Sequence, residues 1–361
     1  MKKIRVLVVD DSVVIRRLLT DILSQDPEIE LAGTAPNGRI ALAKLPQINP
    51  DLVTLDVEMP ELDGLSTLPE LRKSYPKLPV IMFSTLTERG TLATIDALAR
   101  GATDYVTKPA NVGSVAAGIQ SVKDQLIPKI KALCPLTHTV PSQQATRPSR
   151  SATLPRTVRP MPQRVEALVI GSSTGGPQAL TAVLTQLPAS FPVPIVIVQH
   201  MPPVFTLHLA NRLDQQCALK VSEARGGETL QPGQVLIAPG NFHVELHREG
   251  LEVKTVLQQQ PPENSCRPAV DVLFRSAADV FGKNCLGLVL TGMGQDGMRG
   301  SERIVDVQGT VLAQDEASSV VWGMPRAVAE AGLARSILPL ASIPHELLRL
   351  VAVGRRATVT C

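Results

Sequence analysis

Between Pro135 and Arg164 the chain reads PLTHTVPSQQATRPSRSATLPRTVRPMPQR. The run is built from Pro, Ser, Thr and Arg, with no acidic residue and no apolar face to bury. It predicts an extended, mobile linker. Its arginines (Arg147, Arg150, Arg156, Arg159, Arg164) are read first as keeping the segment solvated rather than as a specific binding site. The linker divides the 361 residues into two stretches, each large enough for one core.

Both stretches carry the same texture. IRVLVV at 4–9 is a short β-branched run, followed by a helical pattern with Val14, Leu18, Ile22 and Leu23 on one face. Further apolar runs end at Asp56, Ser84 and Lys108, with helical stretches near 37–46, 64–75, 88–100 and 112–131. Beyond the linker, strands are predicted at 165–170, 193–199, 234–237, 286–291 and 309–313. Strand and helix in alternation predict an α/β fold with two domains, each a doubly wound, mainly parallel sheet. HVELHREGLEVKTV at 243–256 departs from the pattern. Its two alternating runs around Arg248-Glu249-Gly250 predict an antiparallel β-hairpin.

Composition narrows the function classes. Aromatics make up 2% of the chain, too few for a base-stacking nucleic-acid surface. The five cysteines are scattered without a CxxC pair, against a disulfide framework or zinc site. No apolar run reaches the roughly 20 residues of a membrane helix. MKKIRVLVVDDS lacks the long apolar stretch and small residues of a signal peptide, so a cytoplasmic location is expected.

The strand ends carry the chemistry. Asp10 and Asp11 follow VLVV, and Asp56 ends LVTL. Carboxyl ends of parallel strands line the ligand crevice. Converging carboxylates suit Mg²⁺, which keeps several waters and bridges to phosphate. Ser84 and Lys108 end the next strands, where a hydroxyl and an ammonium could meet a bound anion. Taken singly, Asp10 or Asp11 could merely cap the following helix; five such residues at strand ends argue for a site. The pattern VDDS…LDVEMPELDG…MFST…GATDYVTKP resembles the receiver domain of two-component response regulators over residues 1–122. That resemblance implies a flavodoxin-like fold, with Asp56 accepting a phosphoryl group from a histidine kinase. It implies Mg²⁺ held by Asp10, Asp11, Asp56 and the Glu58 carbonyl. Ser84 would sense the phosphoryl group, Lys108 pair with it, and Tyr105 act as the rotameric switch.

VEALVIGSSTGGPQAL (165–180) ends a second buried strand in hydroxyls and glycines. Gly171-Ser172-Ser173-Thr174-Gly175 fits G-x-S-x-G, which raises a serine on a strand–turn–helix elbow. Pro177 suits a first helical turn. Taken alone, the turn is equally compatible with phosphate binding, although GK[ST] is missing. A serine needs a base and a group to orient it. His200, after VPIVIVQ, and Asp296, in GMGQDG, also lie just past buried strands. Asp296 alone could simply stabilise its turn. His208, His243 and His247 lack that setting and are read as surface or packing residues.

IGSSTGGP, VQHMPP, CRPAVDVLF, VLTGMGQDG and GMPRAV together resemble the catalytic domain of chemotaxis protein-glutamate methylesterases, the CheB family, over 165–350. Residues 123–164 would be a helix end and linker, and 351–361 a tail. The resemblance implies Ser173 as nucleophile, His200 as general base then acid, and Asp296 as its orienting group. The Thr174 and Met293 N–H groups would be oxyanion donors. It implies demethylation of glutamyl methyl esters on chemoreceptors, deamidation of glutamines at the same sites, and no cofactor for the esterase step. The chain has Cys266 before Arg267-Pro268 where the family usually has His, and Gln295 where it often has Asn. These leave open the substrate contacts around Arg267. The competing reading is a non-enzymatic response regulator whose second domain binds a partner. A DNA-binding output would need a helix-turn-helix and a basic face, and neither is present.

Overall fold

The computed structural model describes residues 2–109, 115–135 and 164–355. Most of the Pro/Arg-rich segment therefore lies outside the described residues, as does the end of the C-terminal tail. The first unit runs β1 (Ile4–Val9), α1 (Val13–Ser24), β2 (Ile29–Ala35), α2 (Gly38–Ile48), β3 (Leu52–Asp56), α3 (Gly64–Ser74), β4 (Val80–Ser84), α4 (Glu88–Ala99), β5 (Asp104–Thr107) and α5 (Val115–Leu133). Its five strands pair in parallel in the order β2-β1-β3-β4-β5. Asp10 and Asp56 thus end the two strands at the switch point of a flavodoxin-like sheet.

Side chains on one face of this sheet (Val6, Val8, Ile81, Phe83, Val106) pack with α1 and α5, and those on the other (Leu7, Val53, Leu55, Met82) with α2–α4. The α1 helix is capped by Ser12, whose hydroxyl accepts from Ile15 N. Asp10 and Asp11 are therefore not its cap. The α5 helix continues past residue 122, and its Leu126 and Ile130 are fully buried in the core of this unit.

The second unit contains β6 (Ala167–Ser172), α6 (Gly176–Leu184), β7 (Ile195–Gln199), α7 (Phe205–Gln216), β8 (Lys220–Glu223), β9 (Gln234–Ile237), β10 (His243–Glu249), β11 (Glu252–Gln258), α8 (Val270–Phe281), β12 (Cys285–Val289), α9 (Met298–Asp306), β13 (Thr310–Gln314), α10 (Met324–Glu330), β14 (Ser336–Leu338) and α11 (Ile343–Ala352). Seven strands form one parallel sheet, β14-β13-β12-β6-β7-β9-β8. β10 and β11 pair antiparallel as a separate two-stranded sheet. The turn of this hairpin is Gly250-Leu251, one residue later than the sequence suggests.

Three strands escaped the sequence reading: β2, β8 and β14. Each lies at the edge of its sheet. An edge strand is half exposed and carries polar residues, so IELAGTA, KVSE and SIL lack a continuous apolar run.

One apolar core joins the two units. Tyr105 of β5 stacks on Phe205 of α7, with ring centroids 4.5 Å apart and planes 9° from parallel. The core built on Leu7, Leu55 and Met82 continues through this pair to Leu180, Leu209 and Ile170.

Candidate active site

The acidic pocket of the first unit is assembled at its switch point. Lys108 Nζ reaches Asp56 Oδ2 at 2.8 Å and Asp10 Oδ2 at 3.1 Å. Burial, then the Asp10 charge, push Asp56 up to about 6, against the opposing pull of Lys108. Asp10, Asp11 and Asp56 each offer a carboxylate oxygen, and these lie within 4.8 Å of one another. Such hard oxygen donors fit Mg²⁺. Glu58, two residues past Asp56, is exposed and pairs through its carboxylate with Arg89. The Ser84 hydroxyl donates to Gly90 O at 3.0 Å. Tyr105 is buried in the contact with Phe205 rather than at the surface.

In the second unit the ends of β6, β7 and β12 are tied side by side. Ser173 N donates to Thr291 O at 3.0 Å, and His200 N to Ser172 O at 3.1 Å. This places Ser173, His200 and Asp296 on loops at one rim, beside the β6–β12 switch point. Gly175 takes φ of +77° at the start of α6, and a Cβ there would meet Val320 at 2.6 Å. A Cβ on Gly292 would lie 2.8 Å from Ser173 Cβ. Glycine at both positions gives the elbow its room.

The three neighbouring hydroxyls have different fates. Ser172 is fully buried and donates to Gln199 Oε1 at 2.7 Å. Thr174 Oγ1 donates to Asp104 Oδ2 of the first unit at 2.6 Å. Ser173 Oγ makes no hydrogen bond among the described residues and lines the same small void as His200. The Thr174 and Met293 N–H groups likewise donate to no described residue.

Asp296 is held as a fixed anion. Oδ2 accepts from His200 Nε2 at 2.8 Å and Val270 N at 2.7 Å. Oδ1 accepts from Asp271 N, Gly297 N and Asn264 Nδ2 at 2.9–3.0 Å. Val270 and Asp271 open α8, so the carboxylate sits at a helix N-terminus. Burial alone would raise its pKa, but the His200 bond and then the backbone donors hold it below the ordinary carboxylate value. A carboxylate on Nε2 requires the proton there, which leaves Nδ1 as the acceptor of a neutral ring. Burial alone would lower His200. The bond to Asp296, followed by the contact with Cys266, outweighs it and the imidazolium is pushed up to about 10. No hydrogen bond joins Ser173 to His200; Nδ1 faces Cys266 Sγ at 3.6 Å.

The first unit closes over this rim. Leu98, Asp104, Tyr105 and Lys129 meet Ser173, Thr174, His200 and Met201 around a void of about 20 Å³. That is room for one water and none for a glutamyl side chain. Gln178 Nε2 bonds to Leu98 O and Ala102 O, and Arg212 pairs with Asp96. Ser173 and His200 are both half-buried under this contact.

Each of the two units matches a known family. The CheB methylesterase family model matches residues 168–347, and the response regulator receiver domain model matches 6–120. A curated relative from Trichodesmium erythraeum, a protein-glutamate methylesterase/protein-glutamine glutaminase, is 54% identical over 97% of this chain and all of its own length. The chain belongs to the CheB methylesterase family. A relative of the same name from Nocardioides sp. is 54% identical over 99% of the chain and 98% of its own length. Among solved structures, the Thermotoga maritima CheB methylesterase catalytic domain is 45% identical, with a TM-score of 0.51. It covers 52% of this chain, and 99% of that domain is matched.

Within the methylesterase and receiver domains, sequence reasoning missed Gln199, Asn264, Thr291 and Asp104. Gln199 ties Ser172 to the Ser173 carbonyl, and Thr291 Oγ1 donates to Thr174 O. A glutamine inside the apolar run VPIVIVQ was the one available signal. Asn264 and Asp104 reach the site through loop and interdomain geometry that spacing does not encode. His243, read as a packing residue, is buried, and its Nδ1 accepts from Ala269 N.

Proposed function

We propose that this chain is a phosphorylation-regulated hydrolase that demethylates glutamyl methyl esters, and deamidates glutamines, on chemoreceptors. The observation that carries the reading is the His200–Asp296 pair beside the one unengaged hydroxyl of the elbow, Ser173. Ser173 Oγ attacks the γ-carbonyl while His200 Nδ1 takes its proton. The Thr174 N–H, just ahead of α6, and the Met293 N–H, on the loop after β12, hold the oxyanion. The same nitrogen returns the proton to the departing methanol, or to ammonia from an amide. Water then attacks the acyl-enzyme with His200 again as base, and glutamate leaves. Asp296 keeps the ring oriented and stabilises the imidazolium. No step draws on a metal.

The receiver carries the control. Asp10, Asp11, Asp56 and the Glu58 carbonyl would hold Mg²⁺, which neutralises charge on the transferred phosphoryl group when a histidine kinase donates it. Lys108 would shift from the Asp10–Asp56 pair to the phosphoryl oxygens, with Ser84 as a further contact. Tyr105 lies on the strand of Asp104, which ends just before Lys108, and it carries the interdomain stack, so movement there loosens the lid over Ser173. Four described cysteines form no disulfide, which suits a cytoplasmic enzyme.

The test is methanol release from methylated receptor membranes. A 164–355 fragment is expected to run about tenfold or more faster than the unphosphorylated full chain, an occlusion of about 1.4 kcal/mol or more. Asp56→Asn is expected to keep the basal rate and lose its response to a phosphodonor. A fragment no faster than its parent removes the lid from the mechanism. Chelation of Mg²⁺ is expected to abolish phosphorylation while the fragment's esterase rate is unchanged; a fall in that rate would place a metal in the ester chemistry.

A further inference from the structure

The turn that leads into α8 brings two side chains to the His200–Asp296 pair, and the mechanism above uses neither. Glu263 and Cys266 close the turn through mutual backbone hydrogen bonds of 3.1 and 2.8 Å. Between them Asn264 and Ser265 take φ of +51° and +62°, a left-handed conformation that asparagine tolerates and serine seldom adopts. Glu263 pairs with Arg275 through both oxygens, pinning the turn to α8. Asn264 Nδ2 bridges Asp296 Oδ1 and Asp271 Oδ2 at 2.9 Å each. At the far end of the turn, the Cys266 sulfur stands 3.6 Å from His200 Nδ1.

We propose that Cys266 is a positioning residue for His200, its thiol occupying the ring nitrogen that Ser173 must reach, so that the base passes to the serine only when the thiol yields. The proposal rests on the esterase reading above. With Nε2 committed to Asp296, Nδ1 has one lone pair, and the Cys266 S–H and the Ser173 O–H are rivals for it. A thiol is the weaker donor, so a serine hydroxyl brought into line displaces it at small cost.

The remaining described cysteines differ. Burial pushes Cys134 and Cys285 up to about 12 and Cys217 up to about 11. Cys266 is half-buried and faces an imidazole. The other charged groups around His200 are Asp296 on Nε2, with Asp271 and Glu263 behind it, and Asp104, Tyr105 and Lys129 across the void. Asp104 and Lys129 pair with each other at 2.9 Å. Cys266 is thus the group that sets the state of Nδ1. Removing the thiol leaves the Nδ1 lone pair to Ser173 alone, so kcat rises while KM, which does not depend on that nitrogen, stays.

The experiment uses the full chain with a small-molecule phosphodonor. In Cys266→Ala kcat is expected to rise about twofold or more with KM within about twofold, whereas Cys266→Ser, whose hydroxyl keeps the rivalry for Nδ1, is expected to stay at or below wild type. A Cys266→Ala kcat at or below that of wild type overturns the proposal. Iodoacetamide labelling, read by mass spectrometry, needs no turnover: the sulfur displaces iodide to form a thioether as the thiol proton passes to His200 Nδ1. Cys266 is expected to label about tenfold or more faster in wild type than in His200→Gln, which lacks that accepting nitrogen. A labelling rate indifferent to His200→Gln overturns the pairing. If wild-type protein releases no methanol, the esterase reading fails, while labelling still decides whether Cys266 and His200 act on each other.

Discussion

Ser173→Ala in the full chain is expected to lower methanol release by roughly a factor of 10⁶, with the melting temperature unchanged. The size follows from the lack of a substitute. Ser172 is sealed beneath the elbow on Gln199, and Thr174 points away to Asp104. The unchanged stability follows from the same geometry, because Ser173 Oγ is half-exposed and holds no hydrogen bond whose loss the fold would register. Turnover within about tenfold of wild type would remove Ser173 from the chemistry.

Asp296→Asn is expected to lose roughly 10³–10⁴ in turnover, and also stability. Both Asp296 oxygens are acceptors, of Val270 N and His200 Nε2 on one side and of Asp271 N, Gly297 N and Asn264 Nδ2 on the other. An amide must turn its NH₂ toward one set of donors. Leaving buried donors unmet costs about 1–3 kcal/mol. The substitution therefore does not keep the geometry intact. Urea unfolding beside single-turnover rates separates the two effects. A rate loss below about tenfold would reduce Asp296 to a turn-stabilising residue.

Much of this was written in the chain. A strand buried on both faces must be apolar throughout, so β1, β3, β4, β6, β7 and β12 could be read as runs, and the polar residue ending each run stood out. That is why Asp10, Asp56, Ser173, His200 and Asp296 were legible. Edge strands have no such requirement, and β2, β8 and β14 were missed. Asn264 and Cys266 enter through a left-handed turn, whose consequences depend on where α8 docks. The contacts that close the first domain over Ser173 were not legible. Thr174 meets Asp104 and Gln178 meets Ala102 across roughly seventy residues of sequence, a distance over which local patterning carries no information.

The Tyr105–Phe205 stack and the contacts around it make the two domains partners in one equilibrium, and such coupling runs in both directions. If phosphoryl transfer to Asp56 favours separation, anything that needs the domains apart favours the phosphorylated state by the same factor. On the proposed function, a receptor segment that must reach Ser173 is such a ligand. Occupancy of the esterase rim and phosphorylation of Asp56 would then each raise the equilibrium population of the other by one shared factor.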